Sequence, residues 1–301
     1  MKIVVTGVSG FIGGKLSSIL NERGHSVIGL DKDKKEFNCN MEFHQVDITD
    51  LNSLRQLSLE DIDIIIHAAA QSGGFRSLKE PIVDFDWNAR GTFNMVRLAQ
   101  DLKVKKFIYL SSMAVYGNNL RITEDSKLNP ISFYGVSKLA GEFYVKLLED
   151  HADISTIILR LFATYGAGQD LENTHQGILS IYLKQALDSD SVKITGAPDR
   201  IRELVHVDDV VNVIISGVES SQLDDQIFNV TNGQKVSPKI IIDEIGKQLG
   251  KKLNIVEIEG YTGDQTHVAT SGFNKLIEFN LMPQLDLRSG IKEFLSCIIK
   301  N

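Results

Sequence analysis

A tyrosine and a lysine one helical turn apart carry the most reactive chemistry that this sequence offers. They stand in Tyr134-Gly135-Val136-Ser137-Lys138. Residues i and i+4 share a helix face. An ammonium beside a phenol stabilises the phenolate and draws down a pKa that is normally near 10. Such a tyrosine can act as a base or an acid near neutral pH. The pair is also common in ordinary helices, as packing plus a solvated charge, so its neighbours have to decide. Ser111-Ser112 closes an apolar run about one strand–helix unit earlier and is followed by Met113-Ala114-Val115-Tyr116-Gly117. A hydroxyl at a strand's carboxyl end can hydrogen-bond a substrate oxygen beside the tyrosine, although Ser-Ser more commonly caps a helix or turn.

A second chemical signal lies at the start of the chain. Ile3-Val4-Val5 leads into Thr6-Gly7-Val8-Ser9-Gly10-Phe11-Ile12-Gly13, a helical pattern follows, and a further apolar run, Val27-Ile28-Gly29-Leu30, stops at Asp31. This reads as strand, Gly-rich turn, helix, strand, acid. Backbone N–H groups and the dipole at a helix N-terminus bind a pyrophosphate, and glycines let the chain come close to it. Asp31, about 20 residues after the turn, is placed to accept hydrogen bonds from ribose hydroxyls. A carboxylate there repels a 2′-phosphate, so the expected cofactor is NAD rather than NADP. The spacing is G-x-x-G-x-x-G, not the G-x-G-x-x-G of many dehydrogenases, and glycine turns serve many purposes. The flanking strands, helix and acid supply the context.

The elements that must position these residues alternate. Glu42–Val46, Ile62–Ala68, Lys106–Ser111 and Ile154–Leu159 read as strands, and Pro81–Asp101 and Tyr134–Glu149 as long helices. Repeated β-α units imply a parallel sheet with helices on both faces, whose ligands bind beyond the strands' carboxyl ends. Beyond about residue 165 the alternation breaks. Helical stretches (Gln176–Leu187, Val207–Ser220, Ser237–Leu249, Leu287–Ile299) mix with short strands (Val192–Thr195, Glu203–His206, Gln226–Val230, Leu253–Ile258). The expected division is a cofactor domain over 1–165, with some later segments returning to it, and a mainly substrate-binding lobe over 166–301, with a cleft between.

Composition narrows the function classes. The 301 residues are 43% hydrophobic and 24% charged, as in a soluble globular protein, and the net charge of −7 argues against a nucleic-acid or anionic-membrane partner. No apolar run approaches the roughly 20 residues that span a bilayer. The first apolar run reads as a strand, so no signal peptide is expected. Cys39 and Cys297 make no metal or redox motif, which suggests reduced thiols and a cytoplasmic location.

Taken together, the motifs resemble the extended short-chain dehydrogenase/reductase family, in its NAD-dependent sugar-nucleotide epimerase/dehydratase branch. Thr6 to Gly13 is similar to the family's cofactor turn, Asp47-Ile48 to its adenine-contacting pair, and His67-Ala68-Ala69-Ala70 to the segment along the dinucleotide. Asn88-Ala89-Arg90-Gly91-Thr92 is similar to its Asn-x-x-Gly-Thr helix motif. Leu110 to Gly117 and Tyr134 to Lys138 are similar to the catalytic segments, and Arg202 to Val210 to its Arg-Asp-Phe-x-His-Val-x-Asp stretch. Seven segments in order over nearly the whole chain are far more specific than any one.

The resemblance implies a Rossmann-type doubly wound α/β fold with a smaller mixed α/β C-terminal lobe. It implies Ser112, Tyr134 and Lys138 as catalytic residues, with Ser112 rather than Ser111 four residues before Tyr116. Tyr134 would exchange the proton of a sugar hydroxyl. Lys138 would bind the nicotinamide ribose and depress the Tyr134 pKa. NAD would be held by Gly7, Gly10, Phe11, Ile12, Gly13, Asp31, Asp47, Ile48, Ala68, Ala69, Ala70, Asn88, Tyr134, Lys138 and Phe162, and a nucleotide-sugar substrate by Ser112 and Arg202. No metal is implied, and family habit suggests a homodimer through the two long helices.

Subtype follows from what is missing. The family's 4,6-dehydratases carry Asp-Glu after the catalytic hydroxyl, and this chain has Met113-Ala114, neither of which moves protons. The 3,5-epimerase/reductases use a Cys and His pair, and neither cysteine here is near a motif. The leading expectation is a C4 epimerase working through a transient 4-keto sugar. The alternative is a 4-keto reductase or dehydrogenase with net cofactor turnover, and a non-catalytic dinucleotide sensor is disfavoured by the intact Ser112, Tyr134 and Lys138. Two diphosphate anchors of the family are absent: Arg160-Leu161-Phe162-Ala163 has alanine where the family has Asn, and Tyr261-Thr262-Gly263-Asp264 lacks the family's arginine. Arg202 remains, unless it pairs with Glu203 or Asp199. His67 reads as structural, His206 as packing at the lobe junction, Asp208 and Asp209 as helix caps, and Trp87 as helix packing.

Overall fold

A computed structural model describes the chain except for residues 36, 38, 174–176, 262–266, 272–274 and 300–301. Its centre is a seven-stranded sheet in the order Gln226–Val230, Ser155–Leu161, Lys106–Ser112, Ile64–His67, Lys2–Thr6, Ser26–Asp31, Glu42–Gln45. Every neighbouring pair is parallel. Runs such as Ile3-Val4-Val5 and Ile64-Ile65-Ile66 are apolar at every position because both faces of the sheet are covered. On one face the helices Phe11–Glu22 and Val207–Glu219 bring Leu16, Leu20, Val210 and Ile214 onto Ile3, Val5, Ile66 and Ile108. On the other, Gly91–Leu102 and Phe133–Ala152 bring Met95, Leu98, Val145 and Leu148 onto Val4, Ile65, Phe107 and Ile158. Strand order reverses between Lys2–Thr6 and Ile64–His67, and the crevice beyond such a reversal is where parallel sheets bind ligands.

Later segments do return to this sheet. Gln226–Val230 adds the last strand beside Ser155–Leu161. Buried Lys106, at the start of its strand, donates to the carbonyls of Gly217 (2.8 Å) and Ser220 (2.9 Å) at the end of the Val207–Glu219 helix, a favourable place for a cation. A separate apolar cluster, including Leu179, Leu183, Ile194, Leu204, Ile241, Ile245 and Phe294, holds the other C-terminal elements together. The start expected at Gln176 lies outside the described residues, and the helix there runs over Ile178–Asp188.

The long helix expected over Pro81–Asp101 takes a less regular path. Pro81–Asp84 is α-helical, Phe85–Arg90 is a π-helix, and Gly91–Leu102 is α-helical again. Pro81 suits the first turn, where its missing N–H is not needed. A π segment adds a residue to the turn and so rotates the faces that follow. Asp84 and Asn88 both point into the protein, each about 1% exposed. Apolar periodicity alone does not reveal this change of winding.

Candidate active site

A cleft of about 1500 Å³ opens along the carboxyl ends of the strands, running from the Gly-rich turn past Tyr134 to the C-terminal elements. Of the residues expected to bind cofactor or substrate, Gly7, Gly10, Phe11, Ile12, Gly13, Ala68, Ala70, Ser112, Tyr134, Lys138, Phe162 and Arg202 line it. The turn is built for a close ligand. Gly7 has φ +76°, and a Cβ there would come within 2.8 Å of the Ala69 backbone. A Cβ on Gly13 would lie 2.2 Å from the Gly7 carbonyl oxygen. Gly10 caps the Phe11–Glu22 helix with no side-chain acceptor, and the first turn contains no acid. This cradle suits a dinucleotide pyrophosphate.

Asp31 ends its strand with Oδ2 accepting the Ser9 N–H (2.9 Å) and Oδ1 accepting the Asp33 N–H (3.0 Å). Each carboxylate oxygen retains a lone pair for a ribose hydroxyl. His67 is buried and neutral, its pKa driven down to about 3 by burial and then by the nearby Lys138 charge. The Thr92 hydroxyl donates to the Asn88 carbonyl (2.6 Å), so it accepts from His67 Nε2 (3.0 Å). His67 Nδ1 then accepts from Thr6 Oγ1 (2.8 Å), which in turn accepts the Ala69 N–H (3.0 Å). The histidine therefore holds the Ala68–Ala70 segment in place, in the structural role read from sequence.

Five expected cofactor residues, Asp31, Asp47, Ile48, Ala69 and Asn88, are not among the described residues that line the cleft. Ala69 turns its N–H inward to Thr6. Asn88 lies behind the wall: Oδ1 accepts the Gln71 N–H (2.9 Å), and Nδ2 donates to the Gln71 carbonyl (2.8 Å) and Asp84 Oδ1 (2.8 Å). It shapes the segment after Ala70 rather than presenting its amide to a ligand. Ile48 packs in the core beneath Gly91, with its carbonyl held by Asn94 Nδ2 (2.9 Å). Asp47 is exposed, and its Oδ1 accepts the Thr49 N–H (2.9 Å).

Ser112, Tyr134 and Lys138 converge. Strand alternation separates the two serines. Ser111 Oγ donates to Glu142 (2.5 Å) inside the protein, whereas Ser112 is hydrogen-bonded to the Tyr134 hydroxyl. The Phe133–Ala152 helix begins at Ser132, whose hydroxyl accepts the Gly135 N–H (3.1 Å), so Tyr134 sits in its first turn. Lys138 Nζ donates to the Leu110 carbonyl (2.7 Å) and lies 4.9 Å from the centre of the Tyr109 ring.

The electrostatics depart from the expectation that Lys138 depresses the Tyr134 pKa. Burial pushes the phenol up to about 12; the Ser112 hydrogen bond opposes this and the Asp84 charge adds to it. Burial also drives Lys138 down to about 8, against the pull of Asp84 and Glu142. Desolvation is the largest cause, and a phenol held near 12 keeps its proton at neutral pH.

Behind the pair lies a buried network that the sequence reading missed. Glu142 binds Arg160 through both nitrogens, at 2.9 Å from Nε and 2.8 Å from Nη2. Arg160 Nη1 donates to the Tyr116 hydroxyl (2.7 Å) and the Glu124 carbonyl (2.9 Å), and Tyr116 donates to Asn229 (2.8 Å). One signal was available: Glu142 follows Lys138 by four residues and Tyr134 by eight, on the same helix face.

At the far end Arg202 is 6% exposed, with Nη1 donating to the Ile201 carbonyl (3.0 Å). Glu203 is not its partner. The Glu203 carboxylate faces the other way and accepts from Thr270 N (2.8 Å), Thr270 Oγ1 (2.9 Å) and Thr231 Oγ1 (2.8 Å). Arg200, which the sequence reading passed over, is 8% exposed and also lines the cleft. Ala163 and Tyr261 line it too, with the Tyr261 ring set edge-on to Phe75 at 5.1 Å; residues 262–264 lie outside the described residues.

His206 packs as read, its ring edge-on to Tyr165 and Nε2 bonded to Glu293 (3.2 Å). The capping expectation for the two aspartates is corrected. His206 itself caps the Val207–Glu219 helix, its Nδ1 accepting the Asp208 N–H. Asp208 pairs with Lys15, and Asp209 accepts the N–H groups of Gln284 (3.0 Å) and Leu285 (3.1 Å). Trp87 lies half-buried beneath the Lys32 ammonium, 4.6 Å from its ring centre.

Known proteins resemble this chain in sequence and fold. The UDP-glucose 4-epimerase of Mycolicibacterium smegmatis is 30% identical over 262 residues, covering 83% of each chain. The UDP-glucuronate 4-epimerase of Thermodesulfobacterium geofontis is 28% identical over 310 residues, 96% of this chain and 93% of that one. Among solved structures, the Thermotoga maritima UDP-glucose 4-epimerase with UDP-glucose superposes with a TM-score of 0.92 at 27% identity, over 100% of this chain and 99% of that one. The Bacillus cereus UDP-glucuronic acid 4-epimerase in complex with UDP-glucuronic acid and NAD gives 0.88 at 26%, with the same coverage. Residues 3–231 match the model of the NAD dependent epimerase/dehydratase family, and the chain belongs to that family.

Proposed function

We propose that this protein is an NAD-dependent 4-epimerase of a nucleotide-diphosphate sugar. The observation that carries the reading is the meeting of Ser112, Tyr134 and Lys138 in one cleft, with the glycine cradle at one end and Arg202 at the other. Bound NAD supplies the hydride acceptor and donor, and in its oxidised form a positive charge. Tyr134 takes and returns the proton of the sugar hydroxyl. Ser112 holds the phenol and the sugar oxygen together, and Lys138 fixes the nicotinamide ribose. Positive charge is what a phenol held near pKa 12 requires before it releases its proton. After Ser112 the side chains are Met113, which lines the cleft, and buried Ala114, so no second acid or base stands there to eliminate water.

The relatives favour a UDP-sugar, with UDP-glucose and UDP-glucuronate the first to try. Product formation by NMR with each, without added cofactor, tests the reading. Tyr134→Phe should cut turnover by at least about 10²-fold, as expected on losing a general acid/base, while retaining the fold and NAD affinity. Consumption of added cofactor without epimerised sugar would establish the reductase alternative instead.

The same reading makes the protein a cytoplasmic homodimer. Ile82, Phe85, Phe93, Val136, Phe143 and Leu147 leave large apolar side chains exposed on the two long helical segments, Phe143 at 61%. An apolar face of this kind marks an interaction site. Phe93 stacks edge-on against Tyr144, so the two segments pack side by side. Phe143→Asp should halve the mass measured by light scattering; a wild-type monomer would sink the dimer. Cys39 and Cys297 are free thiols, and no helix among the described residues is long and apolar enough to cross a membrane.

A further inference from the structure

Neither the motifs nor the proposed reaction gives Arg200 a role. It is 8% exposed and Arg202 is 6% exposed, and both line the cleft on the side of the C-terminal elements. Arg200 lies in the connection between two strands, Ser191–Thr195 and Arg202–His206. Its Nη1 rests against the turn after the first of these, where a Cβ on Gly196, at φ +70°, would stand 3.7 Å away. Val192 and Ile194 of that strand are buried, and Lys193 and Thr195 line the cleft, as strand alternation requires. Arg202 opens the second strand, and its Nη1 is held at 3.0 Å by the Ile201 carbonyl. Parallel pairing sets Leu204 of that strand beside Ala163, another residue of the cleft wall.

The lysines of the wall are differently engaged. Lys138 stands one turn from Tyr134, Lys15 pairs with Asp208, and Lys184 is held by Glu172 (3.0 Å) and Asp188 (3.2 Å). Lys35 and Lys193 are exposed to water, where an ion pair contributes little. Among the described residues at this end of the cleft, Arg200 and Arg202 are the buried cations. Removal from water strengthens their attraction for an anion in the cleft. A guanidinium is a planar fork of donors that matches two oxygens of one phosphate. Cα atoms two residues apart are separated by no more than about 7 Å, so both forks can reach one ligand. A diphosphate offers one phosphate to each.

We propose that Arg200 is a substrate-binding residue that joins Arg202 in a two-guanidinium clamp on the diphosphate of the sugar nucleotide. The proposal rests on the substrate class read above and makes the clamp the reason for it: two forks select a nucleoside diphosphate over a monophosphate, which fills only one of them. The clamp acts on binding, at a distance from the proton traffic at Tyr134.

Binding needs no turnover, so the test is calorimetric titration of the NAD-loaded protein with UDP, and with dTDP and GDP beside it. The matching monophosphates and nucleosides are followed by NMR. Arg200→Met keeps an apolar stem and removes the charge. It should weaken diphosphate binding at least about tenfold, as when one partner of a buried charge pair is truncated, with nucleoside and NAD affinities unchanged. Arg200→Lys, a point charge without the fork, should recover only part of the loss. Unchanged diphosphate affinity in Arg200→Met would overturn the proposal, as would an equal loss for the nucleoside, which a residue that only shapes the pocket would produce. If Arg200→Met does not fold, Arg200→Lys decides, since it must weaken the diphosphate and spare the nucleoside. A wild type that binds no nucleoside diphosphate, or binds the monophosphate as tightly, would overturn the clamp. A wild type that binds the diphosphate but epimerises no sugar would refute the catalytic reading and leave the clamp standing.

Discussion

Replacing Glu142 by alanine should destabilise the protein by about 3–5 kcal/mol, the cost of leaving one partner of a buried ion pair uncompensated. The reasoning starts from burial: the side chains of Arg160 and Glu142 are 3% and 4% exposed. Glu142 accepts three hydrogen bonds, from Ser111 Oγ, Arg160 Nε and Arg160 Nη2, at 2.5, 2.9 and 2.8 Å. Without it, Arg160 keeps only neutral partners in this network, the Tyr116 hydroxyl and the Glu124 carbonyl. The pair raises the already high pKa of Arg160, so the guanidinium will not escape by losing its proton. Glu142→Gln keeps the volume and two acceptor lone pairs, and should cost less, about 1.5–3 kcal/mol, as for a hydrogen bond to a charged group. Urea unfolding at constant m value measures both. Adding Arg160→Met to Glu142→Leu should recover most of the loss, because an apolar pair of similar volume leaves no stranded charge. A Glu142→Ala cost below about 1 kcal/mol, or strictly additive effects in the cycle, would refute the argument that this network locks the Tyr134 helix to the strands ending at Ser112 and Leu161.

Gly13→Ala should lower NAD affinity by at least about tenfold, or about 1.4 kcal/mol, because its Cβ would meet the Gly7 carbonyl at 2.2 Å and open the turn; calorimetric titration gives the result, and unchanged affinity would show that the cradle does not hold the cofactor. Asp31→Ala should narrow the preference for NAD over NADP in the same titration, and an unchanged preference would remove Asp31 from ribose recognition. Arg202→Ala should weaken UDP-sugar binding at least about tenfold with NAD affinity preserved, since a diphosphate taken from water needs charged donors. Buried His67 has its pKa lowered from 6.5 to about 3, so its contribution is complete above the unfolded pKa and is lost as pH falls toward 3. Stability should decline across that window by up to about 1.4 kcal/mol per pH unit, and His67→Gln should flatten the slope in acid-dependent urea melts.

Local patterns were enough for much of this protein. The apolar runs ending at Thr6, Asp31, His67 and Ser112, the glycines at 7, 10 and 13, and the four-residue step from Tyr134 to Lys138 are each written in a few adjacent residues. The parallel sheet, the cradle and the pairing of phenol with ammonium follow from periodicity and backbone geometry, so they could be read in one dimension. Which serine faces Tyr134 follows from strand alternation once the catalytic side of the strand is known. What tertiary structure alone decided depends on distant parts of the chain meeting in low dielectric. Burial, not sequence neighbourhood, makes Tyr134 a weaker acid and Lys138 a weaker base. Asn88 turned away from the cleft because the π-helical winding aims it at Gln71 and Asp84. Arg160 and Glu142 stand 18 residues apart, on a strand and a helix, and only their packing shows that the arginine is held by the acid. Asp209 caps nothing because Gln284 and Leu285, 75 and 76 residues later, bring their N–H groups to it. Hydrogen bonds and charge pairs are short-ranged in space but not in sequence, and desolvation exists only once the chain has closed around a group.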